Sequence, residues 1–166
     1  MIRLKKIALL FFTLILLVGC DLTSKNVAES ELKGKQSQTY LNGSVKLHYA
    51  ENSGGMLGLG DSLNGGIKII LFRIGVGLAL LGILVYLIYE NSLPQLEYFA
   101  LVLFLSGGLG NLINRLFNDG YVSDFIVLQL FGLRTGIFNL ADFYVLTGAA
   151  VFIFSRMKKP KVITPA

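Results

Sequence analysis

Cysteine, histidine and tryptophan are almost missing from this chain of 166 residues, which has one Cys, one His and no Trp. A single cysteine excludes a disulfide framework within the chain. Cys20 and His48 cannot together supply the four ligands of a structural zinc site, so we predict no metal site. The same scarcity leaves no histidine-centred triad and no cysteine nucleophile with a plausible partner.

Charge is also scarce, because only 15% of the residues are charged, against roughly 25% in ordinary soluble domains. Hydrophobic residues make up 54% of the chain and the mean hydropathy is +0.66, which argues against a soluble globule. Twelve Phe and seven Tyr exclude disorder. The net charge of +5 does not indicate a nucleic-acid partner, since the basic residues lie mainly at the two ends of the chain.

Four apolar runs predict four transmembrane helices, at about 7–25, 67–89, 96–117 and 139–155. The first run, Ile7 to Gly19, is shorter than the roughly 20 residues that a crossing needs. Its helix must therefore continue into the polar stretch beyond it, or the run is the core of a signal peptide. Both interpretations stay open at this point.

The polar segment 26–66 is rich in Gly, Ser and Asn and contains short alternating pieces, which predict a few strands. We therefore predict one domain over 1–166, an all-α membrane protein with a small extracytoplasmic β-rich module between helices 1 and 2. Residues 118–138 are predicted to be a mixed loop between helices 3 and 4. No internal repeat is visible.

Basic residues at both ends of the chain predict its orientation. Arg3, Lys5 and Lys6 precede the first helix, and the chain ends on the basic segment 156–161. Under the positive-inside rule, both termini are predicted to be cytoplasmic. The 90–95 turn should lie on the same side, although it has no Lys or Arg.

Polar residues inside the apolar runs are predicted to lie at one depth, near the outer ends of the helices. Some share a helical face by their spacing of three or four residues, and others end the first helix or lie in the loop. Ionisable groups are costly in a membrane, so this coincidence indicates a functional site or a charge-paired network. The residues are Asp21, Lys25, Asn111, Asn114, Arg115, Asp124, Asn139 and Asp142.

Each of these groups also has a simpler interpretation. Asn139 and Asp142 have the spacing of a helix N-cap with an acidic residue at N3. Arg115 is able to snorkel toward the interface, and the Gly107–Gly110 segment is typical of close helix packing. What these interpretations leave unexplained is the common depth. The remaining chemistry is a carboxylate pair, in which Asp124 and Asp142 share a proton and activate a water.

Five short motifs follow one another along the chain and together resemble those of lipoprotein signal peptidases, the type II signal peptidases of bacteria. The resemblance runs from about Asp21 to Asp142 and departs from the family at Asn114, where Asp is usual, and at Met56 and Leu57, which replace Ala and Phe. The motifs are Asp21-Leu-Thr-Ser-Lys25, Asn52-Ser-Gly54-Gly-Met-Leu-Gly58, Gly107-Gly-Leu-Gly-Asn111-Leu-Ile-Asn114-Arg115, Gly120-Tyr-Val-Ser-Asp124-Phe125 and Phe138-Asn139-Leu-Ala141-Asp142.

The resemblance implies a membrane aspartic endopeptidase that cuts prolipoproteins on the amino side of a cysteine carrying diacylglycerol. It implies a monomer in the bacterial cytoplasmic membrane, with its active site at the outer face, in contact with lipid and without a cofactor. Asp124 and Asp142 would be catalytic, and the Gly-rich segment 53–66 would lie over them as a flap. Substrate-binding or structural support would come from Asp21, Lys25, Asn52, Gly54, Asn111, Asn114, Arg115 and Asn139.

Two other functions stay open. Leu17-Val-Gly-Cys20 has the form of a lipobox after a basic start and an apolar core, so the chain could itself be a lipoprotein processed at Cys20. The second function is that of a small transporter or proton-conducting bundle. Such a protein is expected to have acidic residues nearer the middle of the membrane, whereas the acidic residues of this chain cluster at one interface.

Overall fold

Four long helices form the body of the molecule in a computed structural model that describes residues 3–157. They are α1 (Arg3–Leu32), α2 (Gly65–Tyr89), α3 (Gln95–Phe117) and α4 (Leu140–Met157), and each is long and apolar enough to cross a membrane. The prediction of four membrane helices is therefore confirmed. Residues 158–161, part of the basic segment that predicts a cytoplasmic C-terminus, lie outside the described part of the chain. The side chains of Arg3 and Leu57 also lie outside it.

The predicted strands belong to a small antiparallel sheet, which is assembled from two separate parts of the chain and not from the segment between helices 1 and 2 alone. Strands β1 (Gln38–Tyr40) and β2 (Val45–Asn52) follow α1, whereas β3 (Val122–Leu130) and β4 (Leu133–Arg134) lie between α3 and α4. The order is β1-β2-β3-β4. The segment predicted as a mixed loop therefore supplies the longest strand, because Val122–Leu130 is largely apolar and mostly buried.

The first helix is longer than its apolar run, as the first of the two interpretations requires. It continues past Lys25 to Leu32, so the polar module begins seven residues later than Asn26 would suggest. Its last turns pack against the sheet through Ala28 and Leu32, which contact Phe125. The polar extension of α1 thereby supports the strand that carries Asp124.

Small residues bring α3 and α4 into close contact. A Cβ on Gly107 would collide with the carbonyl of Ala141, and one on Gly148 would lie 2.6 Å from the carbonyl of Ala100. The packing interpretation of the Gly107–Gly110 segment is therefore correct, although the segment also borders the polar site. Close backbone approach of this kind is the usual way in which membrane helices associate.

A π-helical stretch, Ile69–Gly75, interrupts α2 near the end that faces the sheet. The stretch shifts the helical register and turns both Phe72 and Arg73 toward the polar end of the bundle. Such π segments are rare and occur frequently at functional sites. The remainder of α2, Val76–Tyr89, is regular α-helix.

Candidate active site

Asp124 lies on β3, opposite Ala50 of β2, and its side chain is only 3% exposed. Both of its carboxylate oxygens accept hydrogen bonds from amide side chains. Asn52 Nδ2 donates to Oδ2 over 2.9 Å, and Asn139 Nδ2 donates to Oδ1 over 2.6 Å. A strand therefore holds this carboxylate in place, where the sequence had predicted a loop.

Asp142 lies in the first turn of α4 and is 9% exposed. Its Oδ2 accepts from the backbone N–H of Asn139 over 3.2 Å, while Asn139 Oδ1 accepts from the backbone N–H of Asp142 over 3.0 Å. These two reciprocal bonds form a capping box. The cap interpretation of this pair is therefore correct, but it does not exclude a second role, because Asn111 Nδ2 also donates to Asp142 Oδ1 over 2.8 Å.

Asn139 joins the two carboxylates. Its side-chain amide donates to Asp124, and its backbone N–H donates to Asp142. Asn139 is itself completely buried. One residue at the start of α4 thus fixes the strand carboxylate and the helix carboxylate relative to each other.

A buried ion pair on α1 supports this arrangement from behind. Lys25 Nζ lies 2.7 Å from Asp21 Oδ2, and the two side chains are 1% and 0% exposed. Lys25 also donates to Asn111 Oδ1 over 2.8 Å, while Asp21 Oδ1 accepts from the backbone N–H of Ala141 over 2.9 Å. A Cβ on Gly110 would collide with the Asp21 carboxylate. The ion pair therefore connects α1, α3 and the start of α4.

Arg115 holds the loop that follows β2. Its Nη2 donates to the carbonyl oxygen of Gly54 over 2.6 Å, and its guanidinium lies 5.4 Å from the ring centroid of Phe72. Asn52 Oδ1 accepts from the N–H of Gly54 over 2.9 Å. A Cβ on Gly54 would lie 2.6 Å from the carbonyl of Leu59, so the loop folds this tightly only with glycine there.

Asn114 lies apart from the carboxylates and turns toward the strand. Its Oδ1 accepts from the backbone N–H of Ser123 over 2.8 Å. Asn114 and Arg115 thus have separate partners, because Asn114 binds β3 while Arg115 binds Gly54. Asn114 positions the strand residue next to Asp124.

The carboxylates face a cavity of about 320 Å³ that opens between α2, α3 and α4. Its polar end contains Asp124, Asp142, Asn111 and Arg115, and the loop residues Gly55 and Met56 lie over it. Its long wall is apolar and is formed by Phe72, Val76, Ala79, Leu80, Ile83, Phe104 and Val145. The cavity thus joins an acidic site to a hydrophobic groove.

Burial raises the pKa of Asp124 to about 6, and the nearby charge of Asp142 adds to the rise. The hydrogen bonds from Asn52 and Asn139 act in the opposite direction. A carboxyl group in this range exchanges its proton near neutral pH. Within residues 3–157, no three His, Cys, Asp or Glu side chains converge as metal ligands.

The structure brings together nine of the ten residues predicted for the site. The tenth, Asn114, binds the backbone of Ser123, the neighbour of Asp124 on β3. Sequence reasoning missed Phe72, which packs against Gly55 and Gly60 and lies under Arg115. An apolar residue in an apolar helix gives no signal of its own. The π-helical shift that turns Phe72 inward is not readable from the residues.

The four apolar helices and the buried carboxylates at one end of them define a multi-pass membrane protein with a site of the aspartic type. The family described as signal peptidase (SPase) II matches residues 13–158. The chain belongs to this family, and it is therefore a bacterial membrane peptidase of the aspartic type.

Individual relatives agree with this family. The lipoprotein signal peptidase of Borrelia duttonii is 33% identical over 143 residues, covering 83% of each chain. That of Thermodesulfovibrio yellowstonii is 36% identical over 115 residues, covering 69% of this chain and 72% of the relative. A bacterial membrane enzyme solved by the in meso method at 2.3 Å is 25% identical, with a TM-score of 0.79 over 95% of this chain and 96% of the other.

Proposed function

We propose that Asp124 and Asp142 are the catalytic pair with which this membrane peptidase removes signal peptides from prolipoproteins. The bond cut would be the one on the amino side of a cysteine that carries diacylglycerol. One observation carries the proposal: Asn139 binds both carboxylates, and both face a single cavity with an apolar wall. The site thus combines paired acids with a groove for a hydrophobic substrate.

The reaction needs one ionised and one protonated carboxyl group. Asp142 receives the backbone N–H of Asn139 at the start of α4, where the helix dipole favours an anion. Asp124 has the raised pKa and is the better holder of the shared proton. The base takes a proton from water as the water oxygen attacks the scissile carbonyl carbon, and the acid protonates the carbonyl oxygen.

Collapse of the tetrahedral intermediate breaks the carbon–nitrogen bond, and the cysteine nitrogen takes the proton held by Asp142 and leaves as an amine. A hydroxyl group of the intermediate returns its proton to Asp124, which leaves a carboxyl group at the end of the signal peptide and restores the starting state of the pair. Asn111 and Asn139 hold the carboxylates in place during these transfers. Lys25 acts one step further away, because it binds Asn111 and not the acids.

The apolar wall of the cavity supports a hydrophobic substrate. From Phe72 to Ile83 it follows one face of α2 for about 16 Å, at about 1.5 Å per residue. Gly108 of α3 also lines the cavity and packs against Leu80, since a Cβ there would collide with the Leu80 side chain. A signal-peptide helix or the acyl chains of the lipidated cysteine fit this groove, with the scissile bond at the carboxylates.

We further infer that the sheet and the site lie on the outer side of the membrane and that both termini are cytoplasmic. Support comes from Lys6 of α1, which donates to the carbonyl of Glu90 and reaches Asn91. The N-terminus and the 90–95 turn therefore share the end opposite the sheet, and Lys6 supplies the cation that the turn lacks. We also infer that the chain works as a single-domain monomer.

The bond before Cys20 lies inside the continuous helix α1, and the next residue, Asp21, is buried against α4. The site therefore depends on an α1 that is intact across this bond. This arrangement supports the peptidase and not a lipoprotein processed at Cys20.

Incubation of the purified full-length chain with a lipidated prolipoprotein tests the proposal. Mass spectrometry of the products should show one cut, directly before the lipidated cysteine. The same precursor with its cysteine changed to serine carries no lipid and serves as the control. Equal cleavage of both precursors, or cleavage of neither, would contradict the proposed activity.

A further inference from the structure

A second cavity, of about 240 Å³, lies beside Arg115 and is distinct from the cavity that holds the carboxylates. Three of its lining side chains are cations, Lys68, Arg73 and Arg115, and one is a carboxylate, Asp119. Phe72 lines both cavities and contributes to the partition between them. The excess of positive charge indicates an anionic ligand.

Arg115 has unused hydrogen-bonding capacity although it is only 7% exposed. Its Nη2 donates to Gly54, but its buried Nε has no hydrogen-bond partner among the described residues. An unsatisfied buried donor on a charged group is costly, and native structures rarely leave one without a ligand or water. Arg115 lines both cavities, so its positive charge acts on the second cavity as well as on the carboxylates.

Arg73 lies over a glycine that leaves space for it. A Cβ on Gly120 would come within 2.7 Å of Arg73 Nη2, and Gly120 has a φ of +95°, which glycine adopts easily. Within residues 3–157 Arg73 forms no ion pair. Lys68, by contrast, donates to Ser53 Oγ over 2.6 Å, and Ser53 in turn donates to Asp61.

The position of this cavity along α2 matches the depth of lipid headgroups. The helix has 25 residues and is about 38 Å long, against a hydrocarbon core of about 30 Å. Lys68 and Arg73 lie in its first turns, and because charged side chains are costly inside the core, we place the excess length at this end. Ile70 and Ile74, on the outward face of the same turns, are 59% and 54% exposed and face lipid.

We propose that this cavity, bounded by Lys68, Arg73 and Arg115, binds the phosphate of a membrane phospholipid. The phosphate oxygens accept from the Arg73 guanidinium, Arg115 adds a second positive charge in the cavity wall, and the acyl chains lie along the exposed isoleucines of α2. Negative charge also surrounds the cavity, because Asp119 lines it and the two catalytic carboxylates lie beyond Arg115. The bound phosphate does not take part in peptide cleavage, so this proposal is independent of the proposed function.

Titration of the purified full-length chain with phosphatidylglycerol, followed by native mass spectrometry, tests the proposal. Diacylglycerol with the same acyl chains lacks only the phosphate headgroup and should not bind this site. Arg73→Gln should weaken phosphatidylglycerol binding about tenfold, as expected for the loss of a charge-assisted hydrogen bond. Arg134→Gln is the matched control, since Arg134 is an exposed arginine of β4 near the sheet, and it should change binding less than about twofold.

Lys68→Gln gives a second test if the Arg73 variant does not fold, and it should weaken binding in the same direction. Equal binding to the wild type and the variants, or equal binding of diacylglycerol, would overturn the proposal. Titration with inorganic phosphate distinguishes a lipid headgroup from free phosphate as the ligand. If it binds the wild type as tightly as the lipid does, the ligand is free phosphate and the lipid assignment is wrong.

Discussion

Both ends of the helix bundle contain buried charge, but they use it differently. At the sheet end, Asp21, Lys25, Asp124 and Asp142 are connected through amide side chains, and two of the carboxylates face a cavity. At the opposite end, Glu97 is completely buried and lies 2.8 Å from Arg156, whose side chain is 48% exposed. Hydrogen bonds at the sheet end and an ion pair at the opposite end offset the cost of burying a carboxylate. Only the sheet end leaves its acids open to a substrate.

The difference shows how a membrane protein separates chemistry from support. Asparagine side chains donate and accept at once, so Asn111 and Asn139 hold several groups without adding charge. A direct ion pair such as Glu97–Arg156 connects two helices, but each charge is neutralised by its partner and is not available to a substrate. Five predictions test this difference.

Removing either carboxylate of the proposed catalytic pair should have the largest effect. Asp124→Asn and Asp142→Asn should each reduce prolipoprotein cleavage roughly 10³-fold, because each removes the base or the shared proton. Glu97→Gln is the matched control at the other end of the bundle and should retain cleavage within about threefold. Rapid turnover by either site variant, measured by mass spectrometry, would show that the pair is misassigned.

Breaking the buried ion pair on α1 should destabilise the protein strongly. Lys25→Met leaves the Asp21 carboxylate buried without its cation, which costs about 3–5 kcal/mol. Thermal unfolding in detergent measures the loss. The double variant Asp21→Asn, Lys25→Met removes both charges and should recover part of the stability. Simple addition of the two single effects would mean that the ions do not interact.

The pair at the opposite end should respond asymmetrically. Arg156→Gln removes the cation that faces a fully buried carboxylate, whereas Glu97→Gln leaves a half-exposed cation. The arginine variant should therefore lose about 1–3 kcal/mol more in the free energy of unfolding. Equal melting temperatures for the two variants would indicate that burial of Glu97 carries little cost.

The raised pKa of Asp124 predicts how stability depends on pH. The folded protein holds this proton more tightly than the unfolded chain, so stability is greatest below the unfolded pKa and falls as pH rises toward about 6. The cost is about 3 kcal/mol at neutral pH. In the Asp124→Asn variant, the melting temperature should therefore depend less on pH between about pH 4 and pH 6 than in the wild type.

Asn114→Asp should have the smallest effect. The new carboxylate still accepts from the Ser123 N–H, so the strand keeps its position. Its charge lies against Ser123, one residue from Asp124 along β3, and should raise the pKa of Asp124 further, which moves the pH optimum modestly upward. Comparison of pH–rate profiles on one lipidated substrate measures the shift. An unchanged or lower optimum, or complete loss of activity, would show that Asn114 is not close enough to act on the pair.

Periodicity and length were enough to predict the helices, because α2, α3 and α4 have apolar runs as long as a membrane is thick. Their observed bounds lie within two residues of the predicted ones. The end of α1 was missed because its last turns are polar and are stabilised by i,i+4 pairs such as Lys33–Glu29. The strand β3 was missed because a short apolar run does not distinguish a strand from a loop.

The common depth of the polar residues was predictable from helical spacing, but their partners were not. Asn111 binds Asp142, and Asp21 binds the backbone of Ala141, 120 positions away. Contacts at such separations depend on how the helices pack, which a single sequence does not state. The catalytic roles of Asp124 and Asp142 stay predictions until cleavage is measured.

The sheet that carries Asp124 also determines when in its synthesis this protein becomes a peptidase. Its central pair joins β2 to β3, so Ala50 lies opposite a residue that leaves the ribosome much later. Asn139 and Asp142 are made later still, at the start of the last helix. A nascent chain that ends before Asn139 has only one of the two acids and lacks the amide that joins them. The proposed site can therefore form only after the start of the last helix has been made.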